Sequence, residues 1–167
     1  MRADELKGRA VVTLTDATKI GRIDDVLFDT DYRTVLGFRV KAGMLSRTEA
    51  LPRAGVSAIG PDAITVVDHS AVNDEDRFAE LTGALTLDSA QHMKVVTEGG
   101  ELLGMVAAVE LDDAAEHVQA YTLDAPLLDR MRGRAPQIHA EDVTRFGAGG
   151  IMIVPNAVGE QMRSGGA

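Results

Sequence analysis

Six cationic and apolar side chains of the segment 124–136 have the clearest potential for binding chemistry. They are Leu127, Leu128, Arg130, Met131, Arg132 and Arg134. Arginine and methionine are enriched in the cores of protein interfaces, and clustered arginines suit a partner that carries carboxylates or phosphates. A solvated loop whose leucines cover the end of a barrel would have the same composition. Both interpretations stay open, and Met44, Leu45 and Arg47 form the corresponding candidate contact site earlier in the chain.

Other residue types that could do chemistry lack the required spacing. The four histidines show no His-x-His or His-x-x-x-His pair, so the sequence predicts no zinc site; they are His69, His92, His117 and His139. Four aspartates lack the Asp-x-Asp-x-Asp-Gly pattern of a calcium loop and are predicted to form a solvated acidic turn; they are Asp24, Asp25, Asp29 and Asp31. We therefore expect no catalytic residue, metal or cofactor.

Glycine-rich and serine motifs also give no catalytic signal. No serine lies in a Gly-x-Ser-x-Gly elbow. The stretch 147–150 is rich in glycine but precedes an apolar run and lacks the Lys-Ser or Lys-Thr of a phosphate loop, so it is predicted to be a hairpin turn.

Composition narrows the class of partner and the location. The 167 residues carry a formal net charge of -9, so nucleic acid would be repelled unless the fold builds a local basic patch. Cysteine is absent, which excludes disulfides and thiolate chemistry. The chain has no apolar run of the roughly 20 residues that a membrane helix needs, and no apolar signal region at its start. We expect a cytoplasmic protein.

The elements that position these residues are organised by an internal repeat. The stretch 7–40 recurs at 91–123, and its matched residues, such as Gly21 with Gly104 and Phe38 with Tyr121, are offset by 83. The unit ends match again at an offset of 87, as in Leu51 with Ile138, so four extra residues fall in the segment 124–136. A fixed offset over about thirty positions predicts a duplicated structural unit.

Hydrophobic periodicity predicts about five or six short strands in each unit. Ile20 and Ile23 lie three residues apart, so a bulge at Gly21 would bring both to one face, and Gly104 repeats the device. Alternation predicts that Leu36, Phe38 and Val40 share a face of the next strand. A strongly bent sheet of this kind is typical of a small barrel.

The predicted boundaries follow from the repeat. The first unit spans 6–68, a linker with a short helix capped by Asn73 spans 69–86, the second unit spans 87–156, and 157–167 form a flexible tail. Residues 1–5 are predicted to be a frayed lead-in.

Three segments of the first unit carry a resemblance to a known family. They are Gly-x-Ile-x-Asp-Val at 21–26, LGFRV at 36–40 and ALPRAGVSAIGPDAITV at 50–66. Together they resemble the PRC-barrel family, the small barrel of the reaction-centre H subunit and of the C-terminal half of a ribosome maturation factor. The resemblance implies an all-β fold of two tandem PRC-barrel-like units joined by a short helix. No catalytic residue carries over, since the family motif contains none.

The resemblance also sets the functional expectation. It implies a non-enzymatic protein-binding or scaffold protein that is part of a larger assembly, as in stand-alone prokaryotic members linked to cell division or sporulation. Exposed strand edges could pair with a partner or with a second copy to give a homodimer. The alternatives are a ribosome- or RNA-associated assembly factor, and a small-ligand binder or enzyme.

Overall fold

Two bent sheets with the same internal strand order make up the protein. The computed structural model describes residues 1–43, 47–124, 135–147 and 149–164. The first sheet is ordered β4-β3-β2-β1-β6-β5, with β7 added beside β2. Its strands are β1 (Ala10–Thr13), β2 (Lys19–Phe28), β3 (Val35–Lys41), β4 (Thr48–Pro52), β5 (Val56–Ile59), β6 (Ala63–Val66) and β7 (Leu85–Thr86).

The second sheet repeats this arrangement in the order β11-β10-β9-β8-β13-β12. Its strands are β8 (Lys94–Thr97), β9 (Leu102–Leu111), β10 (Val118–Asp124), β11 (Gln137–His139), β12 (Arg145–Gly147) and β13 (Ile151–Val154). The predicted all-β fold of two tandem barrel-like units is confirmed. The α-helices of the described residues are α1 (Leu87–Ala90) and α2 (Asn156–Arg163), and short 3-10 helices cover Ala3–Leu6, Arg53–Gly55, His69–Ala71, Glu75–Arg77, Ala79–Leu81 and Ala140–Asp142.

Three bulges lie at equivalent places in the two sheets, and the first sheet has a further one at Ser57, in the pairing of β5 with β6. Pairing of β1 with β2 skips Ile20, and pairing of β8 with β9 skips Leu103. The pairing of β2 with β3 leaves Asp24 and Leu36 without a cross-strand partner. The pairing of β9 with β10 does the same to their equivalents, Ala107 and Gln119. A bulge increases the local twist and bends its strand, so these positions shape both sheets alike. The bulge predicted beside Gly21 and Gly104 is confirmed.

The bulge at Leu36 overturns one prediction. Phe38 and Val40 point into the main core as expected, but Leu36 packs on the outside against Leu27 and Leu81. Strict alternation would have placed all three β3 residues on one face. The extra residue shifts the register between Phe28–Val35 and Leu27–Gly37, so the side chains before and after it no longer follow one period.

Strand pairing also corrects the repeat offset at both ends of the unit. Gly21 lies opposite Val11, and Gly104 lies opposite Val95, so β1 and β8 are related by 84 rather than 83. Val11 lies beside Ile64, and Val95 lies beside Met152. The strands β6 and β13 are therefore related by an offset of 88 rather than 87. A sequence alignment without gaps misses these shifts because each arises from a one-residue change in a hairpin turn.

The leading segments of the two units cross over and exchange partners. Leu85 and Thr86 pair with Phe28 and Leu27 of β2 in the first unit. Met1 and Arg2 are the repeat equivalents of these two residues, and they pair with β9 of the second unit. Arg2 forms a β-bridge with Glu110, and the Leu111 N–H donates to the Met1 carbonyl at 2.7 Å. The predicted frayed lead-in is therefore wrong, and the buried Ala3 and Leu6 are part of the core.

One hydrophobic core runs through both units. Its buried members include Phe28, Phe38 and Ile64 of the first unit together with Tyr121 and Met152 of the second. Because a unit of about 70 residues buries too little apolar surface to be comfortably stable alone, this shared core explains why the units come as a pair.

The linker does not form the predicted capped helix. Asn73 is extended and exchanges two backbone hydrogen bonds with Ala50 of β4, at 2.7 and 3.1 Å, which covers part of that strand edge. Two 3-10 turns follow, and Leu81 packs on the outer apolar cluster with Leu27. The helix of this region begins later, at Leu87, where the Thr86 hydroxyl caps it by accepting the Ser89 N–H at 3.1 Å.

The predicted flexible tail is also corrected over its first part. Helix α2 buries Val158 and Gly159, and the Asn156 side chain accepts the Gly99 N–H at 2.8 Å. Arg163 pairs with Glu101. The sequence did not indicate this helix because the segment is rich in Gly and Ser and the helix buries only Val158 and Gly159.

Candidate functional site

Most of the contact residues predicted from the sequence lie outside the described residues. This applies to Leu127, Leu128, Arg130, Met131, Arg132 and Arg134, and to Met44 and Leu45. Arg47 is described, and its side chain is 84% exposed with Nη2 at 3.6 Å from the Asp74 carboxylate. Arg47 therefore lies beside Asp74 of the linker. The proposed role of the other eight residues as contact sites stays a prediction.

The histidines and aspartates do not converge. Within the described residues, no group of three or more potential metal-ligating side chains comes together. His69 contacts Asp16 at 3.3 Å and His117 contacts Asp112 at 3.2 Å, in two separate pairs. Asp29 caps its own turn by accepting the Arg33 N–H at 2.9 Å.

Asp25 corrects the prediction of a solvated acidic turn. It is only 8% exposed and accepts the Val26 N–H at 2.8 Å. Lys7 Nζ lies 3.9 Å from its Oδ1. A buried carboxylate needs such partners, since its desolvation is otherwise costly. Through Lys7, Asp25 contacts the surface feature described next.

A groove on the first unit gathers four cationic side chains. Its volume is about 750 Å³, and it is open along one side. We call it the basic groove, and its lining residues are Lys7, Gly8, Lys19, Gly21, Arg22, Ile23, Asp24, Lys41 and Gly43. Asp24 is the one carboxylate in this lining, so the groove is locally positive on a chain whose net charge is -9.

Three segments bring the cations together. Lys7 follows the 3-10 helix Ala3–Leu6, which is anchored by its buried end residues, and the next residue, Gly8, has φ +87°, a left-handed conformation suited to glycine. Lys19 and Arg22 lie at the start of β2 on either side of the first bulge. Lys41 is the last residue of β3 and is directly opposite Arg22.

Gly21 holds the two strands of the groove floor close together. A Cβ at this position would lie 2.9 Å from the Lys41 carbonyl oxygen and 2.7 Å from Val40 Cγ1. Only glycine permits this approach without a shift of the strand. The position of Lys41 relative to Arg22 therefore depends on Gly21.

The equivalent face of the second unit has no cation at the corresponding positions. Leu102 and Met105 stand where the first unit has Lys19 and Arg22, and they are 57% and 39% exposed. Gln91 and Asp124 are the counterparts of Lys7 and Lys41. The fold thus tolerates apolar and acidic residues at these positions, and the cations are a property of the first unit alone.

Sequence reasoning missed the basic groove. Its cations lie at positions 7, 19, 22 and 41, with no basic run, and only the β2–β3 register and the β1–β2 bulge bring them together. The available signal was the repeat itself: comparison of the copies at Lys19 and Arg22 shows charge in one unit and Leu and Met in the other.

Comparison with known protein families assigns the first unit. Residues 1–72 match the family model of the PRC-barrel domain. The first unit is a PRC-barrel domain. The resemblance seen in the sequence is confirmed there, and the second unit has the same strand order as the first. No curated protein matches the chain in a sequence comparison.

Among the described residues, every helix is too short or too polar to traverse a bilayer.

Proposed function

We propose that this PRC-barrel protein is a non-enzymatic protein-binding component of a larger assembly, and that it contacts its partner through the face of the first unit that carries the basic groove. One observation carries the proposal: at equivalent positions, Lys19 and Arg22 replace Leu102 and Met105. Two units with one fold but different surface chemistry have no structural reason to differ there, which favours recognition by one of them.

The interior supports a binding role over catalysis. The shared core is filled by the aliphatic and aromatic side chains of both units. Small barrels packed in this way leave little enclosed space for a substrate. The half-open basic groove and the exposed Leu102 and Met105 are surface features, and surface features of this kind are typical of contacts with other macromolecules.

A ribosome- or RNA-associated role is the second candidate, because the basic groove supplies the local positive patch that the acidic composition otherwise lacks. The arginine-rich segment 124–136 would add to either role as a second contact site. Homodimer formation and a cytoplasmic location also belong to this proposal.

A cross-linked pull-down from native lysate tests the proposed function. The full chain is compared with Lys19→Gln/Arg22→Gln, with and without nuclease. A specific set of proteins that survives nuclease and disappears with the double variant would support the proposal. Recovery of the same proteins with both forms would refute a role for the groove face, and ribosomal proteins that are lost with nuclease would favour the second candidate.

A further inference from the structure

We infer that the basic groove binds an acidic peptide segment, with carboxylates of the partner held between Lys19, Arg22 and Lys41. This inference rests on the proposed function and specifies the chemistry of the partner at that site. Four cations and one carboxylate line the groove, so an anionic ligand finds a clear excess of positive charge.

The arrangement of Arg22 and Lys41 is the first reason to expect an anionic ligand in the basic groove. These two cations lie directly opposite each other on neighbouring antiparallel strands. Like charges in this position repel and destabilise a sheet, whereas opposite charges stabilise it. An anion between the two side chains would convert the repulsion into two attractive contacts.

The repeat shows that the fold does not impose this repulsion. The equivalent cross-strand pair in the second unit is Met105 and Asp124, which carries no like-charge conflict. The same strands, bulge and glycine therefore form with a neutral residue and an acid at these positions. A bound anion would give the two opposed cations of the first unit a function.

The charges in the groove are also poorly neutralised by the protein itself. Among the described residues, the one ion pair of a groove cation joins Lys7 to Asp25, at 3.9 Å. Lys19, Arg22 and Lys41 are exposed, and no described acidic side chain lies within ion-pair distance of them. Their charge is therefore available to an incoming anion.

The lining favours a peptide over nucleic acid and over a single phosphate. It contains no aromatic side chain on which a base could stack. A long polyanion that followed the surface beyond the groove would meet a protein of net charge -9. The volume of about 750 Å³ falls within the range of sites for drug-sized ligands, and the open side lets a chain enter and leave.

Fluorescence anisotropy with labelled hexaglutamate at low ionic strength tests this inference on the full chain. We expect Lys19→Gln/Arg22→Gln to weaken binding about tenfold, as removal of two charge contacts predicts. The matched control is Lys94→Gln/Arg145→Gln, which removes the same charge from exposed positions of the second unit and should bind like the unaltered protein. Binding should also fall as ionic strength rises past about 0.1 M.

A gain-of-binding variant provides an independent test. Leu102→Lys/Met105→Arg/Asp124→Lys places the counterparts of Lys19, Arg22 and Lys41 on the equivalent face of the second unit. We expect it to raise the number of hexaglutamate molecules bound at saturation from one to two. A stoichiometry that stays at one would contradict the assignment of the ligand to these positions.

Competing ligands decide between an acidic peptide, a nucleic acid and a polyphosphate as the class of ligand. Oligothymidylate or tripolyphosphate that binds more tightly than hexaglutamate would overturn the acidic-peptide inference, as would equal loss of binding in the two charge-matched variants. If hexaglutamate fails to bind while the pull-down still loses its proteins with Lys19→Gln/Arg22→Gln, only the ligand class is wrong. If the pull-down shows no such loss, the proposed function is wrong whatever hexaglutamate does.

Discussion

Thr34 and His117 pair with each other as an antiparallel bridge and are repeat equivalents, 83 residues apart. The hydrogen bonds on either side are also equivalents: the Val35 N–H donates to the Glu116 carbonyl at 2.9 Å, and the Val118 N–H donates to the Arg33 carbonyl at 2.8 Å. A pseudo-two-fold axis therefore passes between Thr34 and His117. The single chain has the isologous geometry of a symmetric dimer, in which each contact occurs twice.

The Tyr121 hydroxyl is a further contact across this junction, and it donates to the Tyr32 carbonyl at 2.7 Å. We predict that Tyr121→Phe lowers the free energy of unfolding by about 1–3 kcal/mol, because it leaves a buried carbonyl without a partner. Urea denaturation measures this loss. Tyr32→Phe is the control: it removes only the half-buried contact with Ser89 and should cost clearly less. Equal losses would contradict the role assigned to the Tyr121 hydroxyl.

The exchanged leading segments should make the two units unfold together. Leu6 is fully buried in the common core, in a segment that also pairs with β9 through Arg2. We predict that Leu6→Ala lowers the free energy of unfolding by about 2–5 kcal/mol and keeps a single transition. Calorimetry checks both points. Two separate transitions, with only the first unit destabilised, would show that the units are independent.

The sequence predicted the architecture because the architecture depends on features that survive in both copies. The β2 and β9 bulges have apolar residues three apart around a glycine, and the turns that begin at Asp29 and Asp112 have aspartate at the same place. These are local patterns of strands and turns. They determine fold far better than function, which agrees with the confirmed all-β prediction.

The groove and the segment exchange could not be predicted in the same way. Arg22 and Lys41 meet through strand register, which depends on bulges that strict alternation does not reveal. Residues 1–5 were predicted to be frayed because their partner, β9, lies about a hundred positions away in the sequence. In each case the deciding contact is long-range, and no local propensity encodes it.

Gly21 should be essential for the close approach of β2 to β3. We predict that Gly21→Ala lowers the free energy of unfolding by about 1–3 kcal/mol, since the added methyl group would overlap Val40 and the Lys41 carbonyl. Thermal denaturation measures the effect. Gly149→Ala is a suitable control, because a Cβ there meets nothing within 4 Å and the backbone does not require a positive φ. A comparable loss in both variants would point to a general effect of glycine replacement.

Asp112 should make stability depend on pH in the acid range. Partial burial raises the pKa of Asp112, but the Glu116 and His117 N–H groups and the His117 ring outweigh it, so the net pKa is below its ordinary value. The carboxylate therefore stabilises the fold above the unfolded-state pKa of about 3.9, and this contribution is lost as pH falls through the lower folded-state pKa.

The corresponding variant is Asp112→Asn, which keeps the side-chain shape without the charge. We predict that acidification from about pH 6 to about pH 3 costs the unaltered protein more stability than this variant, and that the difference is small because solvent screens the partly exposed carboxylate. Denaturant titrations at several pH values measure the difference. Asp113→Asn removes the adjacent exposed carboxylate and should leave the pH dependence nearly unchanged. If Asp112→Asn and Asp113→Asn reduce the pH dependence of the free energy of unfolding equally, the hydrogen bonds of Asp112 are not the source of that dependence.

Arg22 should be a position where stability and binding oppose each other. Because Arg22 and Lys41 are like charges in a direct cross-strand pair, we predict that Arg22→Met raises the free energy of unfolding by about 0.2–1 kcal/mol while it weakens hexaglutamate binding. Methionine is the residue at the equivalent position 105, so the sheet already accommodates it. The gain in stability should shrink as added salt screens the repulsion, and Arg145→Met, at an exposed position on β12, should show no such gain. A loss of stability in Arg22→Met would mean that the guanidinium makes favourable contacts within the fold, and the case for an anion between these two cations would lose its main support.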